Sequence, residues 1–406
     1  MKKPIRKPEL LAPAGNFEKL EIAIHYGADA VYLAGKNFSL RNFSGNFTDA
    51  ELLDAVTYAH QHNTKVYLAC NIYSRTHEQK EIETFLARVG QIKPDAIILS
   101  DPGIIRLAQR IIPQIDIHLS TQANTTNVSA ASFWHEMGVK RVNLARELSL
   151  EEINVFQHET PIETEVFIHG AMCISYSGRC LLSSFLSGRD SNQGLCSHPC
   201  RWKYSVVEEL RPNEYHPLME DEHGSYIFNS KDLCMIEHIP ELINTGITSF
   251  KIEGRMKGIN YLASVVKTYR EAIDACMENP DHYKIDDKWL DELFHVFHRE
   301  YCTGFFFGKQ DAQQPNYSNI HHGKIHSFIG KILAEKADRT YSIGMRNTLG
   351  KDDVIEVVSP GSPPKFSKVL TLQDENKNPI ENAHPNTIAV IKLEIQCQHN
   401  DILRKK

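Results

Sequence analysis

Cys173, Cys180, Cys196 and Cys200 lie within one 28-residue stretch in the pattern C-x6-C-x15-C-x3-C. The residues between them are rich in Ser, Gly and Asn, a composition that cannot bury itself, and four thiolates on one centre would hold it together. Two kinds of centre meet that description. Structural zinc sites draw cysteine pairs two to four residues apart, a spacing met here only by Cys196 and Cys200. An iron–sulfur cluster gives each cysteine a different iron and accepts wider, irregular intervals. A loop that holds no metal is the third reading. The remaining cysteines, Cys70, Cys234, Cys276, Cys302 and Cys397, stand singly and read as small buried hydrophobes. No export signal precedes these nine cysteines, so a reducing compartment is expected rather than a disulfide framework.

Other residue types here could also do chemistry. Glu165, Phe167 and His169 alternate along a strand-like run and so share one side of it, facing into a barrel or towards its mouth. His169 is a candidate proton carrier, and Glu165 reads equally well as a catalytic acid or a hydrogen-bonded core residue. Arg179, Arg189, Arg201 and Lys203 surround the cysteines, Arg146 ends a strand, and Lys251 and Arg255 flank Glu253 in SFKIEGR, just before Lys257. Such cations suit phosphates or a small dicarboxylate, arginine in bidentate fashion. Gln122, Asn124 and Asn71 follow strands and are placed to touch a substrate, although polar loop caps look the same. Tyr176, Trp202 and Tyr204 interleave with the cations, a combination that stacks unpaired bases or packs the insertion onto the domain.

The elements that position these residues follow from hydrophobic patterning. Strand signals begin near Glu9, Ala30, Lys65, Ala96, Asp116, Arg141, Glu163 and Ser249. Helical patterns lie between them, including Asn16–His25 (with Asn16 as N-cap), Asp49–His60, Glu78–Val89 and Ala130–Glu136. Eight such repeats, with no G-x-G-x-x-G after the first strand, predict an α/β fold: a (β/α)8 TIM-like barrel rather than an open doubly wound sheet. An insertion at about residues 171–230 leaves the seventh strand at the end where barrel active sites are built, and carries the four cysteines. Helices are predicted over Leu233–Asn244, Val265–Cys276 and Asp286–Arg299. The predicted domains are a barrel over 1–309, a polar linker over 310–323 and a small β-barrel over 324–406.

Composition excludes several classes. The 406 residues are 41% hydrophobic and 24% charged with a formal charge of −6, so a nucleic-acid contact would need a local patch rather than overall basicity. No apolar run reaches membrane-spanning length, and the basic N-terminus leads into no apolar signal core. A cytoplasmic protein with no membrane contact and no obligate protein partner is expected. Peptidase signatures are missing: His135-Glu136 lacks its second histidine, and no G-x-S-x-G occurs. A Cys173 nucleophile with His169 as base would leave three neighbouring cysteines unexplained. Gly304 to Gln310 falls short of a P-loop, so ATP is not implied.

The run EVFIHGAMCISYSGRCLLS at 165–183 resembles the signature of the collagenase-like peptidase family U32, through Glu165, Phe167, Gly170, Cys173, Gly178, Cys180 and Ser183. The opening ELLAPAGNFEKLEIAIHYGADAVYLAG, the run NQGLCSHPCRWKY at 192–204 and SFKIEGRMKG resemble the same family, and the likeness extends over the whole chain. Within that family it looks closest to the branch that makes 5-hydroxyuridine in tRNA. The resemblance implies a barrel carrying a [4Fe–4S] cluster on Cys173, Cys180, Cys196 and Cys200, with Cys234 as the runner-up ligand. It also implies tRNA, through its anticodon region, as substrate, and prephenate or a similar small acid as a required participant. Arg146, Arg179, Lys251, Arg255 and Gln122 are the residues expected to bind these, with His169 and Glu165 as acid–base candidates. Proteolysis and oxygen-independent hydroxylation of a quinone ring are the alternatives that the family raises.

Overall fold

Each of the eight apolar runs forms a strand: β1 (Glu9–Pro13), β2 (Ala30–Leu33), β3 (Lys65–Ala69), β4 (Ala96–Leu99), β5 (Asp116–Leu119), β6 (Arg141–Asn143), β7 (Glu163–Ala171) and β8 (Ser249–Ile252). The structure is a computed structural model, and it describes residues 6–36, 38–39, 45–172, 180–189, 195–201, 220–221, 224–225, 231–308 and 327–405. All eight strands are parallel, and β8 pairs with both β1 and β7, so the sheet closes on itself. Runs such as β2 and β4 are buried at every position because one face meets the barrel interior and the other meets helices. The expected TIM-like barrel is the fold observed.

Helices α1 (Phe17–His25), α2 (Asp49–Gln61), α3 (Gln79–Ile92), α4 (Pro102–Ile111), α5 (Val128–Glu136) and α6 (Leu150–Glu159) alternate with the strands. Side-chain caps set the starts of all of these but α3. The Asn16 side chain accepts from the Lys19 amide, Asp101 caps α4 ahead of Pro102, and Thr48/Glu51 and Ser149/Glu152 form reciprocal capping boxes. After β7 come α7 (Leu182–Ser187), α8 (Ile239–Asn244), α9 (Ile259–Glu278) and α10 (Asp287–Phe294). No described helix is long and apolar enough to cross a membrane.

Two predicted helices need correction. Leu233–Asn244 is not one helix. Asp232–Cys234 is a short strand antiparallel to the end of β7, and a 3-10 turn and then α8 follow it. Pro240 falls in the first turn of α8, where its missing N–H costs nothing, so the preceding apolar residues are released to pair with β7. The helix predicted to reach Arg299 stops at Phe294, because Arg299 turns back and binds Asp232 through both its backbone N–H and its guanidinium. Most of the insertion beyond residue 201 lies outside the described residues. So does the linker at 310–323.

The C-terminal region forms the expected small β-barrel. Its strands are β9 (Ser327–Ala337), β10 (Thr340–Met345), β11 (Val354–Val358), β12 (Lys365–Gln373), β13 (Ile388–Leu393) and β14 (Ile402–Lys405), closed in the order β9-β10-β13-β12-β11-β14. Its own core includes Ile332, Tyr341, Ile355, Leu372, Ile391 and Leu403. It is docked on the larger barrel. Tyr26 Oη of α1 donates to the Val358 carbonyl at 2.6 Å and accepts the Ile402 amide at 3.1 Å. Arg404 of β14 is fully buried against Glu292, Asn260 and Ser264 of the larger domain.

Candidate active site at the barrel mouth

The interior of the large barrel has two unlike halves. β1 to β4 and the residues just after them contribute Leu11, Ala30, Tyr32, Ala34, Tyr67, Ala69, Ala96 and Ile98, a separate buried cluster. β5 to β8 contribute His118, Arg141, Asn143, Glu165, Ser249 and Lys251, all at least nine-tenths buried. Buried charges must be paired to be tolerated. Arg141 Nη1 meets Glu9 Oε1 at 2.6 Å and Glu165 Oε2 at 3.7 Å, and Nη2 meets Glu163 at 2.9 Å. Lys251 Nζ donates to Glu165 Oε1 at 2.7 Å. Tyr67 Oη donates to Glu9 Oε2 at 2.6 Å, and its ring meets His118 edge-on at 4.6 Å. Burial first, and then the charges of Arg141 and Lys251, hold His118 well below the ordinary histidine range, so it is neutral.

Among the predicted site residues, Lys251 and Arg146 converge on Phe167, and Glu165 holds Lys251. The Lys251 ammonium is 4.6 Å from the Tyr32 ring centre and 5.5 Å from that of Phe167, and the Arg146 guanidinium lies 4.1 Å over Phe167. Phe167, Arg146, Leu144, Met172 and Gly304 to Phe306 line a small, mostly apolar cleft at the C-terminal ends of β6 and β7. Gln122 sits on the loop after β5, where its backbone carbonyl accepts from Tyr73 Oη at 2.6 Å. Arg255 lies beyond β8, buried, and donates to Ser39 Oγ at 2.7 Å. These two flank the mouth from different loops. Arg179 lies outside the described residues.

His169 is not where strand alternation puts it. The β7–β8 register shifts between Lys251 and Ile252, so Lys251 pairs with Phe167 while Ile252 pairs with His169. The irregularity turns His169 out of the barrel onto α9, with Nδ1 3.3 Å from Tyr269 Oη and the rings of Tyr261 and Tyr301 close by. Burial pushes its pKa down to about 3 against the opposing pull of Asp232. Glu165 keeps the predicted inward direction.

Of the four clustered cysteines, Cys173 lies outside the described residues and the other three sit on two adjoining segments. Cys180 immediately precedes α7, and Cys196 and Cys200 belong to residues 195–201. Serines stitch the segments together. Ser183 Oγ accepts the Ser197 amide at 3.0 Å, and the Ser197 hydroxyl lies 3.1 Å from that of Ser183 and 2.7 Å from that of Ser187. The His198 backbone is left-handed (φ 55°), and its N–H donates to Cys196 Sγ at 3.4 Å. Cys180, Cys196 and Cys200 are half-buried and form no disulfide. Among the described residues, no three His, Cys, Asp or Glu side chains already gather in a metal-holding group. Thiols on tied segments, one of them receiving an amide hydrogen bond, have the donor chemistry that a sulfur-liganded centre uses. Cys234 suits it less, because desolvation pushes its thiol up to about 12 and it receives the Tyr269 hydroxyl instead.

Reasoning on residue types overlooked Arg141, His118 and Asn143. The available signal was their position, since a polar side chain at an inward position of a strand buried on both faces is buried by necessity.

The model of peptidase family U32 matches residues 15–316, and the model of that family's C-terminal domain matches residues 324–404. The chain belongs to peptidase family U32. It is 39% identical over 402 residues to tRNA hydroxylation protein P1 of Bacillus subtilis (strain 168), covering 98% of this chain and 95% of that protein. It is 37% identical over 399 residues to tRNA hydroxylation protein P of Escherichia coli (strain K12), covering 87% and 86%. With the 23S rRNA 5-hydroxycytidine C2501 synthase of the same E. coli strain it shares 34% identity over 270 residues, covering 66% of this chain and 40% of that protein.

Proposed function

We propose that this protein is a tRNA-modifying enzyme that places a hydroxyl on carbon 5 of wobble uridine, in a prephenate-dependent reaction that uses a [4Fe–4S] cluster. The observation that carries the reading is the 39% identity, across nearly all of both chains, to a protein named for tRNA hydroxylation. A third relative named for a 5-hydroxylated cytidine points to the same ring carbon of a pyrimidine in RNA. Cys173, Cys180, Cys196 and Cys200 would hold the cluster, which when bound would supply electron transfer or direct activation of the substrate. Arg146 and Arg255, together with Arg179, would position the acid or the RNA phosphates, and Lys251 would meet the substrate deeper in the barrel. Glu165 holds the Lys251 ammonium in place inside the barrel. His169, neutral and set against Tyr269, would act by supporting the β7–α9 contact rather than by carrying a proton in the barrel.

The deciding experiment is nucleoside mass spectrometry of tRNA from a strain lacking every such gene, with and without this one restored. Return of 5-hydroxyuridine or its derivatives is expected, and its failure to return with soluble protein present defeats the reading. Iron and sulfide assays on anaerobically purified protein test the cofactor separately. Wild type should carry both, and Cys196→Ala should lose them.

A further inference from the structure

Buried polar atoms in a native protein are almost always paired, so a group of them left open marks a place that something else fills. Among the described residues such atoms concentrate on one sector of the large barrel. His118 Nδ1, Asn143 Oδ1 and Glu165 Oε2 lie on β5, β6 and β7, and Gln122 Oε1, Asn124 Oδ1 and Thr125 Oγ1 lie on the loop after β5. Asn143 and Glu165 are register partners on parallel strands, so their side chains project to the same interior face. Glu165 in turn holds Lys251, whose ammonium lies near the faces of Tyr32 and Phe167. The next inward positions after Tyr32 and Tyr67, towards the mouth, are Ala34 and Ala69, so no bulky side chain caps those strands.

We propose that the Lys251–Glu165–Asn143 floor binds the edge of a single uracil base, unstacked from its RNA strand and inserted into the barrel. The uracil edge presents carbonyl, N–H, carbonyl. The floor presents an ammonium donor, the open carboxylate oxygen of Glu165 and an amide that can turn its NH2 inward, which is the complementary order. Tyr32 and Phe167 supply apolar ring surface beside it. A small acid fits this floor poorly, since its carboxylate would meet the free oxygen of Glu165. The acid belongs instead with the arginines of the rim. Taking the base out of the strand is what chemistry on a ring carbon requires of an enzyme that encloses its site. The proposal deepens the RNA-hydroxylation reading and rests on it.

The test is photo-cross-linking of the full-length protein to an anticodon stem-loop carrying 5-bromouridine at the wobble position, which leaves the reading edge unaltered. Cross-linked peptides should map to β2, to residues 118–146, to β7 or to β8. Asn143→Leu should lower cross-link yield roughly ten- to hundredfold, and Asn143→Asp, which keeps the side-chain volume, roughly tenfold, as expected for one lost buried hydrogen bond. Cross-links confined to the small β-barrel overturn the proposal. So does an undiminished yield from either soluble variant. It also fails if calorimetry shows that Asn143→Asp abolishes prephenate binding while the cross-link persists, since the floor then serves the acid. Cross-linking needs no turnover. Barrel cross-links without restored 5-hydroxyuridine sink the functional reading and leave the base site standing, and restored nucleoside without barrel cross-links does the reverse.

Discussion

Arg404 and Arg141 are both buried among carboxylates, yet their surroundings differ in completeness. At the domain junction, Arg404 places Nε on Asn260, Nη1 on Glu292 and Nη2 on Glu292 and Ser264, and both Glu292 oxygens are used. In the large barrel, Arg141 is held by Glu9 and Glu163, but Glu165 Oε2, Asn143 Oδ1 and His118 Nδ1 nearby have no hydrogen-bond partner. A closed network stabilises one arrangement and has nothing left to offer a ligand. An open one costs stability until a ligand arrives, so it belongs where binding occurs. Charge burial alone does not distinguish structure from function here. The count of unused hydrogen-bonding positions does.

Five substitutions can break or sharpen that contrast. Arg404→Met leaves Glu292 buried without its partner and should lower stability by about 3–5 kcal/mol, read by urea unfolding, while the nucleoside product per folded molecule is unchanged. Lys251→Met should cost about 2–3 kcal/mol, less because Arg141 remains near Glu165, and should also abolish product. Adding Glu165→Leu to it should restore most of the stability and none of the activity. Recovery of both would make this cluster as structural as the junction. His169 supplies a pH signature. Its folded pKa of about 3 lies below the unfolded value, so between them the unfolded chain binds the extra proton. The stability it contributes is complete above pH about 6.5 and is lost as pH falls, by up to about 1.4 kcal/mol per unit. His169→Asn should flatten that slope relative to wild type, and an unchanged slope would contradict its neutral, buried state. Tyr26→Phe, which removes one hydroxyl from the domain junction, should cost about 1 kcal/mol with activity intact.

The eight strands of the large barrel are legible because each is a short apolar run, most of them set between amphipathic helical patterns with recognisable N-caps. β14 is not legible in that way. Arg404 and Lys405 carry no strand signal of their own, and only the tertiary partner Glu292 makes a strand with a fully buried arginine tolerable. The direction of His169 is hidden for a related reason, since strand alternation holds until an irregularity resets it, and the β7–β8 shift depends on pairing between distant segments. Glu165 and Lys251 are legible as candidates from their place near strand ends. Their being partners follows only from barrel closure, which sets β7 beside β8. The cysteine spacing is legible as a cluster of thiols, whereas the serines that tie its segments together show no sequence signal beyond an unremarkable polar loop.

The Tyr26 hydroxyl grips two strands of the small barrel at once, and from one of them, β14, Arg404 reaches into the large domain to Glu292. A module fastened at several points cannot swing as one on a tether would. Its outer surface therefore stands at a set offset from the cavity opening, and the two-domain body works as a caliper: a polymer touching both ends must match one span and one bend.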